Sequence, residues 1–384
     1  MTVNQVYTII NAAAAQATGT TANAAHDLTG LIALGDTVLS TDTTKDAFYQ
    51  ALPDVIGKAV VSNKKYTAKE KALVKNLFEW GVALEKIYVA PTAAVENQAY
   101  DIPNGSNVND MGVVAKNEVK VKIFANRDVW EFNYTIMDYQ IKSAFHNETE
   151  MAAFIAGIYN AMESAIELAL ENLVNACIEN FICEKIHAQT LVEDNTKLHA
   201  VNLLHEYNEE TNQGLTVASC QKDVDFLKYC AKRFINDKRL FAKMTTCFNV
   251  DGFYRFTPSE DVGLYVLASF ADAQAFYLQA DTYHKELVAM PNYDVVEYWH
   301  GVGDRSFSDL SKVAATTSSG NAVEQSGVIA LLFDPEAMGV LNERTTSKTF
   351  NNPKKDFTHY WQRFERGFYN DLSENGIVYY IAEA

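Results

Sequence analysis

The strongest constraint on how this chain folds is the stretch Asn147 to Glu184, the longest proline-free run that keeps a helical hydrophobic period. Phe154, Ile158, Met162, Ile166, Leu170, Leu173, Cys177 and Phe181 recur at steps of three and four residues, which lays them along one face of a 3.6-residue repeat. Asn160, Glu163, Glu167, Glu171, Asn175 and Glu179 fall mostly on the other side. The spacing predicts a single long helix, capped by Asn147, with Glu148 and Glu150 at the positive end of its dipole. Gly157 is the one internal breaker, at a cost of about 1 kcal/mol relative to Ala. A helix of this length spans roughly 55 Å at about 1.5 Å per residue. That exceeds what a compact core needs, so it reads as a spine to which separate parts attach.

A chain of 384 residues has room for two or three domains. No window approaches the roughly 20 apolar residues of a membrane span, and the N-terminus lacks the basic-then-apolar layout of a secretory signal, so folding in the cytoplasm without a membrane partner is expected. Cys177, Cys183, Cys220, Cys230 and Cys247 are odd in number and form no C-x-x-C pair, which argues against a disulfide framework or a structural zinc site and for small buried hydrophobes. A net charge of −17 opposes sequence-independent DNA or RNA binding, which relies on clustered Lys and Arg. Lys64, Lys65, Lys69, Lys71 and Lys75 read as a solvated helix face.

Residues 1 to about 62 form short helical pieces separated by Gly19, Gly30, Gly35 and Gly57, an arm without an independent core. A helix is predicted from Thr67 through Leu73, Leu77 and Trp80. From about Leu84 to Tyr134 the period changes to two: Ile87 to Ala90 extends, Asp101 to Ser106 turns, and Val119, Val121 and Ile123 alternate with Lys120 and Lys122 on the return. Such a hairpin buries too little to be stable alone, and a neighbouring subunit is expected to cover it. Beyond the spine, His187 to Gly214 reads as polar strand and loop. A helix from Asp223, strands at Met244–Phe248, Leu264–Leu267 and Val295–Trp299, a helix at Ser269–Ala280, a polar loop at Thr316–Gln325 and a buried strand at Gly327–Phe333 make a mixed α/β unit. Phe357 to Gln362 and Ile377 to Ile381 return as strands expected to lie against the spine helix.

No signature of catalysis emerges. Glu184 and His187 have the E-x-x-H spacing of di-iron bundles, but those need a second copy. The ladder Glu163, Glu167, Glu171 lacks a histidine and reads as a solvated face. Gly301-Val-Gly303 lacks the third glycine of a phosphate loop, and His205-Glu206 has no second histidine at zinc-protease spacing. Catalytic, cofactor-binding and metal residues are accordingly assigned to none.

An arm, a long hairpin, a spine helix, an inserted mixed unit and a returning sheet, in this order, resemble the major capsid protein of tailed phages, the Hong Kong 97-like fold also used by encapsulin compartments. Local wording is similar to capsid proteins of phages infecting Gram-positive bacteria: Ile136-Met-Asp-Tyr-Gln-Ile-Lys-Ser-Ala-Phe145 before the spine, Phe256-Thr-Pro-Ser-Glu-Asp261 with Val262 to Leu267, Val328-Ile-Ala-Leu-Leu-Phe-Asp-Pro-Glu-Ala-Met338, Thr349-Phe-Asn-Asn352 and Asn375-Gly-Ile-Val-Tyr-Tyr380. The resemblance covers most of the chain from about residue 136 onward. It implies an α+β fold with an N-terminal arm (1–83), an extended loop (84–130), a peripheral domain (131–219 and 341–384) and an inserted axial domain (220–340). It further implies a non-enzymatic homo-oligomer of hexamers and pentamers closing into the icosahedral head of a virion around double-stranded DNA. A separate scaffolding protein, a portal and minor capsid proteins would be its partners, and cofactors are none. The alternatives are an encapsulin-like compartment shell and an α/β nucleotide-binding enzyme using Gly301 to Arg305. In the capsid reading the acidic face of the spine looks toward packaged DNA.

Overall fold

The computed structural model describes residues 3–19, 28–41, 43–44, 47–48, 51, 73–76, 84–92, 118–125, 128–137, 139, 148–193, 196–281, 291–352 and 354–383. They form two compact units. The turn expected at Asp101–Ser106, most of the helix expected from Thr67 to Trp80 and every lysine of the basic run except Lys75 lie outside the described residues.

The first unit takes Met1–Trp80, Arg127–Val174 and Val340–Gly367. Its helices are α1 (Val3–Thr18), α2 (Leu28–Leu39) and the first part of α3 (Glu148–Thr190). Its sheet has the order β1 (Val74–Asn76), β11 (Met338–Asn352), β12 (Phe357–Asn370), β4 (Asp128–Met137). Strands β12 and β4 run antiparallel from Phe357 opposite Met137 to Arg366 opposite Asp128. The core joins Tyr7, Ile10, Leu31 and Leu34 of the arm helices to Ile136, Tyr360 and Phe364 of the sheet and to Met162 and Ile166 of α3. Two expectations change here. Gly30 and Gly35 do not divide the arm, because α2 runs through both; buried Leu31, Leu34 and Val38 hold it where propensity alone would break it. Lys75 sits in a strand, since β1 pairs in parallel with β11, so tertiary pairing overrides the local helical pattern there.

The second unit takes Gly81–Asn126, Asn175–Gly339 and Phe368–Ala384. Strands β5 (Ala200–Asn202), β13 (Gly376–Tyr380), β10 (Val328–Phe333), β6 (Gly263–Leu267) and β7 (Asp294–Val296) make its main sheet in that order. Every residue of the central β10, Val-Ile-Ala-Leu-Leu-Phe, is buried, as expected of a strand covered on both faces. The helices are the end of α3, α4 (Leu203–Thr211), α5 (Val217–Cys220), α6 (Val224–Phe241), α7 (Ala268–Asp281) and α8 (Phe307–Leu310). Two hairpins complete the unit: β2 (Leu84–Val89) with β3 (Val119–Phe124), and β8 (Val313–Thr316) with β9 (Ala322–Gln325). The polar loop expected at Thr316–Gln325 is therefore largely the second hairpin. In place of a strand at Met244–Phe248 there is one bridge, Thr245 to Arg255, and Val295–Trp299 shortens to β7. The polar stretch after the spine contains α4, whose first turn is capped by Asn202 accepting from the His205 amide.

The spine is longer than its stripe predicts, 43 residues ending at Thr190. Its two parts differ. Up to Val174 it is one-sided, with Met162, Ile166 and Leu170 buried and Glu171 exposed. From Cys177 onward Ile178, Phe181, Ile182, Cys183, Lys185, Ile186 and Ala188 are all buried, so the sequence there loses its amphipathic period although the helix continues. The returning strands do meet the spine, within each unit separately. Tyr360 and Phe364 share a core with Met162 and Ile166, and Gly376 of β13 lies against the Phe181 ring.

Gly327, with φ +84°, starts the central strand where a Cβ would collide with the Ile381 carbonyl. Both a left-handed backbone and the lack of space oppose any side chain there. Gly327→Ala is expected to destabilise the second unit by about 2–3 kcal/mol, read as a lower urea midpoint at unchanged slope.

Candidate assembly interface

Outside the glutamate ladder of the first unit, the chemistry-bearing residues singled out above make contacts within the second unit. The Glu184 carboxylate accepts from the Ser318 amide and His187 meets Asn321 at 3.1 Å, so the E-x-x-H pair secures the turn between β8 and β9. Glu179 belongs to the same contact and not to a solvated face: its carboxylate, 12% exposed, accepts from the His300 ring at 2.7 Å and the Ala314 amide at 2.8 Å. Glu167 is half-buried and Glu171 exposed, while the Glu163 side chain lies outside the described residues. The Gly301–Gly303 loop is closed by its own anion. Asp309 accepts from the Asp304 amide at 2.8 Å and lies where a Cβ on Gly303 would point, and the helix that follows has only four residues. A carboxylate at that position repels a phosphate. His205 pairs with Glu209 at 3.3 Å, and Glu206 with Arg233 at 3.8 Å. Among the described residues no group of three or more His, Cys, Asp and Glu is placed to hold a metal ion. Four of the cysteines are buried and Cys247 is half-buried; burial pushes the Cys177 thiol up to about 12.

The unexpected feature is the polarity of the ribbon β2–β3. Its register places Lys86 directly opposite Lys122 and Tyr88 opposite Lys120. Two ammonium groups facing each other on one side of a ribbon repel, and Asp371 resolves the conflict by bridging them: Oδ2 lies 3.2 Å from Lys86 and Oδ1 3.0 Å from Lys122. Asp251 joins Lys122, and Glu374 lies 3.6 Å from Lys86 and 3.3 Å from Arg255. Farther along, Tyr88 stacks on Phe253 at 4.3 Å, Arg255 lies over the Tyr88 ring at 4.9 Å, and Lys120 lies over the Phe253 ring at 4.6 Å. The Tyr254 amide donates to the Tyr88 hydroxyl at 3.2 Å. The cationic face is thus the one that packs on its own unit.

By strict alternation the apolar face then points outward. Ile87, Val89, Val119, Val121 and Ile123 are 63, 51, 55, 50 and 65% exposed. The sequence showed the alternation of Val119, Val121 and Ile123 with Lys120 and Lys122, but not which face turns inward.

Asp371 is fully buried, which by itself raises a carboxyl, yet the Ser373 hydroxyl (2.6 Å), Lys86 and Lys122 outweigh burial and hold it below the usual range. For Lys122 burial is likewise outweighed, by Asp251 and Asp371, and its pKa is raised. Glu374 goes the other way, pushed up by burial against Arg255 and Lys86. A carboxylate depressed in the folded state stabilises above its unfolded pKa of about 3.9, and the contribution is lost as pH falls through the folded value. Asp371→Asn should therefore raise amide exchange over 84–89 and 119–124 at least tenfold at pH 7.5. The parent chain should show the same loss of protection only below about pH 4.

In the first unit, β4 is the outer strand of its sheet, and beside it a groove of about 490 Å³ is lined by Phe132, Tyr134, Phe154, Ile158 and Met162.

Among the described residues no helix is long and apolar enough to cross a membrane. No curated protein sequence matches the chain. Among solved structures it is similar to one of the head fiber and inner core protein gp22 of native bacteriophage P68, at 13% identity and TM-score 0.55, covering 82% of this chain and 84% of that one. A capsid structure of Staphylococcus phage Andhra matches at 12% identity and TM-score 0.49, over 84% of this chain and 87% of that one. At such identities the likeness to the P68 structure speaks for a shared fold. A family model for the Phi29-like phage major capsid protein matches residues 8–380, which favours a phage head shell over an encapsulin compartment. With nearly its whole length matched, the chain belongs to the Phi29-like phage major capsid protein family.

Proposed function

We propose that this head-shell protein builds an icosahedral shell from hexamers and pentamers around double-stranded DNA. In this reading residues 1–83 are the arm, 84–130 the extended loop, 131–219 with 341–384 the peripheral domain and 220–340 the axial domain of a Hong Kong 97-like subunit. The observation that carries it is the ribbon: five aliphatic side chains at least half exposed on one face, in a chain of net charge −17. Covering what remains exposed on them is worth roughly 5 kcal/mol, and a closed symmetric assembly supplies the cover at every copy. Acidity supports a container role, since each Lys or Arg contact to phosphate would add affinity for DNA that has to move. The role is structural, and a scaffolding protein, a portal and minor capsid proteins are the partners this function calls for.

Placing charges on the outer face tests the reading. Val121→Asp with Ile123→Asp should leave circular dichroism and urea stability near those of the parent, since both side chains are exposed, yet abolish shells in electron micrographs, with or without a scaffold. Normal shells from this variant would contradict it.

A further inference from the structure

Helix α6 is bipolar. Its 18 residues span about 27 Å, with Asp223 and Asp225 at the start and Lys238, Arg239 and then Lys243 at the end. Both ends are enlarged by neighbours. At the start, α4 packs through Tyr207 on Phe226 and Tyr229 at 5.4 and 5.3 Å, adding Glu206, Glu209 and Glu210, against which stand Lys222 and Lys228. At the finish, the Thr257 amide donates to the Phe241 carbonyl at 2.7 Å and Thr245 bridges Arg255. These links gather Leu240, Met244, Tyr254 and Phe256, 47, 55, 53 and 55% exposed, beside the three cations.

An apolar patch framed by cations fits an acidic protein surface better than a nucleic acid, because phosphates would pair the charges and leave the four apolar side chains in water. The acidic surface present at highest concentration in a shell is that of another copy. We propose that the basic, apolar end of α6 in one copy docks on the acidic α4–α6 end of the next. This contact rests on the shell reading. It is head-to-tail, the kind of contact that builds a ring when the rotation between copies closes, as a capsomer requires, and its charges oppose the wrong register between molecules that otherwise repel.

The test is a charge swap on the full chain. One variant carries Lys238→Glu, Arg239→Glu and Lys243→Glu; another carries Glu209→Lys, Glu210→Lys and Asp225→Lys. Each alone should fold, by circular dichroism, and lose at least tenfold of its capsomers in sedimentation velocity. Co-expressing the two, or combining all six changes in one chain, should restore them. Assembly by either single set at the parent level, or no recovery on combination, overturns the proposal. Retained assembly with lost DNA retention in the first variant assigns the patch to nucleic acid and overturns it as well. If the unaltered chain forms no shells with its scaffold, the shell reading itself fails, a result separable from all of these.

Discussion

Two lysines placed opposite each other across a two-stranded ribbon need an anion between them, and the buried carboxylate of Asp371 supplies it. Much about the outer surface follows from that one contact. Because side chains alternate along a strand, fixing the cationic face inward fixes the aliphatic face outward. A one-residue slip would reverse both faces, exposing the lysines and pressing valines and isoleucines against Asp371 and Glu374. The anchor therefore sets the register of the ribbon as well as its position on the unit.

The two faces of the ribbon divide the labour. Contacts within the subunit at the ribbon are mainly ionic and cation–π, beside the stack of Tyr88 on Phe253, while its outer face is aliphatic. Ionic strength weakens the first kind and leaves the second intact. The first unit offers a different surface, the outer strand β4 beside an apolar groove.

Much of this was legible in the sequence where one physical signal dominated. The stripe from Phe154 to Phe181 identified the spine, the period-two runs gave β2, β3, β4 and β12, and the apolar run 328–333 gave the central strand. What escaped notice depended on tertiary partners. The spine runs past Glu184 because burial on all sides erases its stripe, and Glu179 is covered because residues more than 120 positions away, His300 and Ala314, donate to it. Lys75 lies in a strand because β11 pairs with it, and the hairpin at 313–325 hid behind polar residues whose backbone bonds, such as Thr317 to Asn321, decide its shape. The ribbon was half legible: alternation gave its two faces, but only the distant Asp371 determines which one turns inward.

The central claim is that the ribbon keeps its cationic face on its own subunit and gives its aliphatic face to a neighbour. A cryo-electron microscopy map of assembled shells, at a resolution that shows side chains, tests it most directly. The account predicts Lys86 and Lys122 on Asp371 of the same chain, with Ile87, Val121 and Ile123 covered by a second copy. Lysines turned toward the neighbour, or an aliphatic face open to solvent in the closed shell, would contradict it.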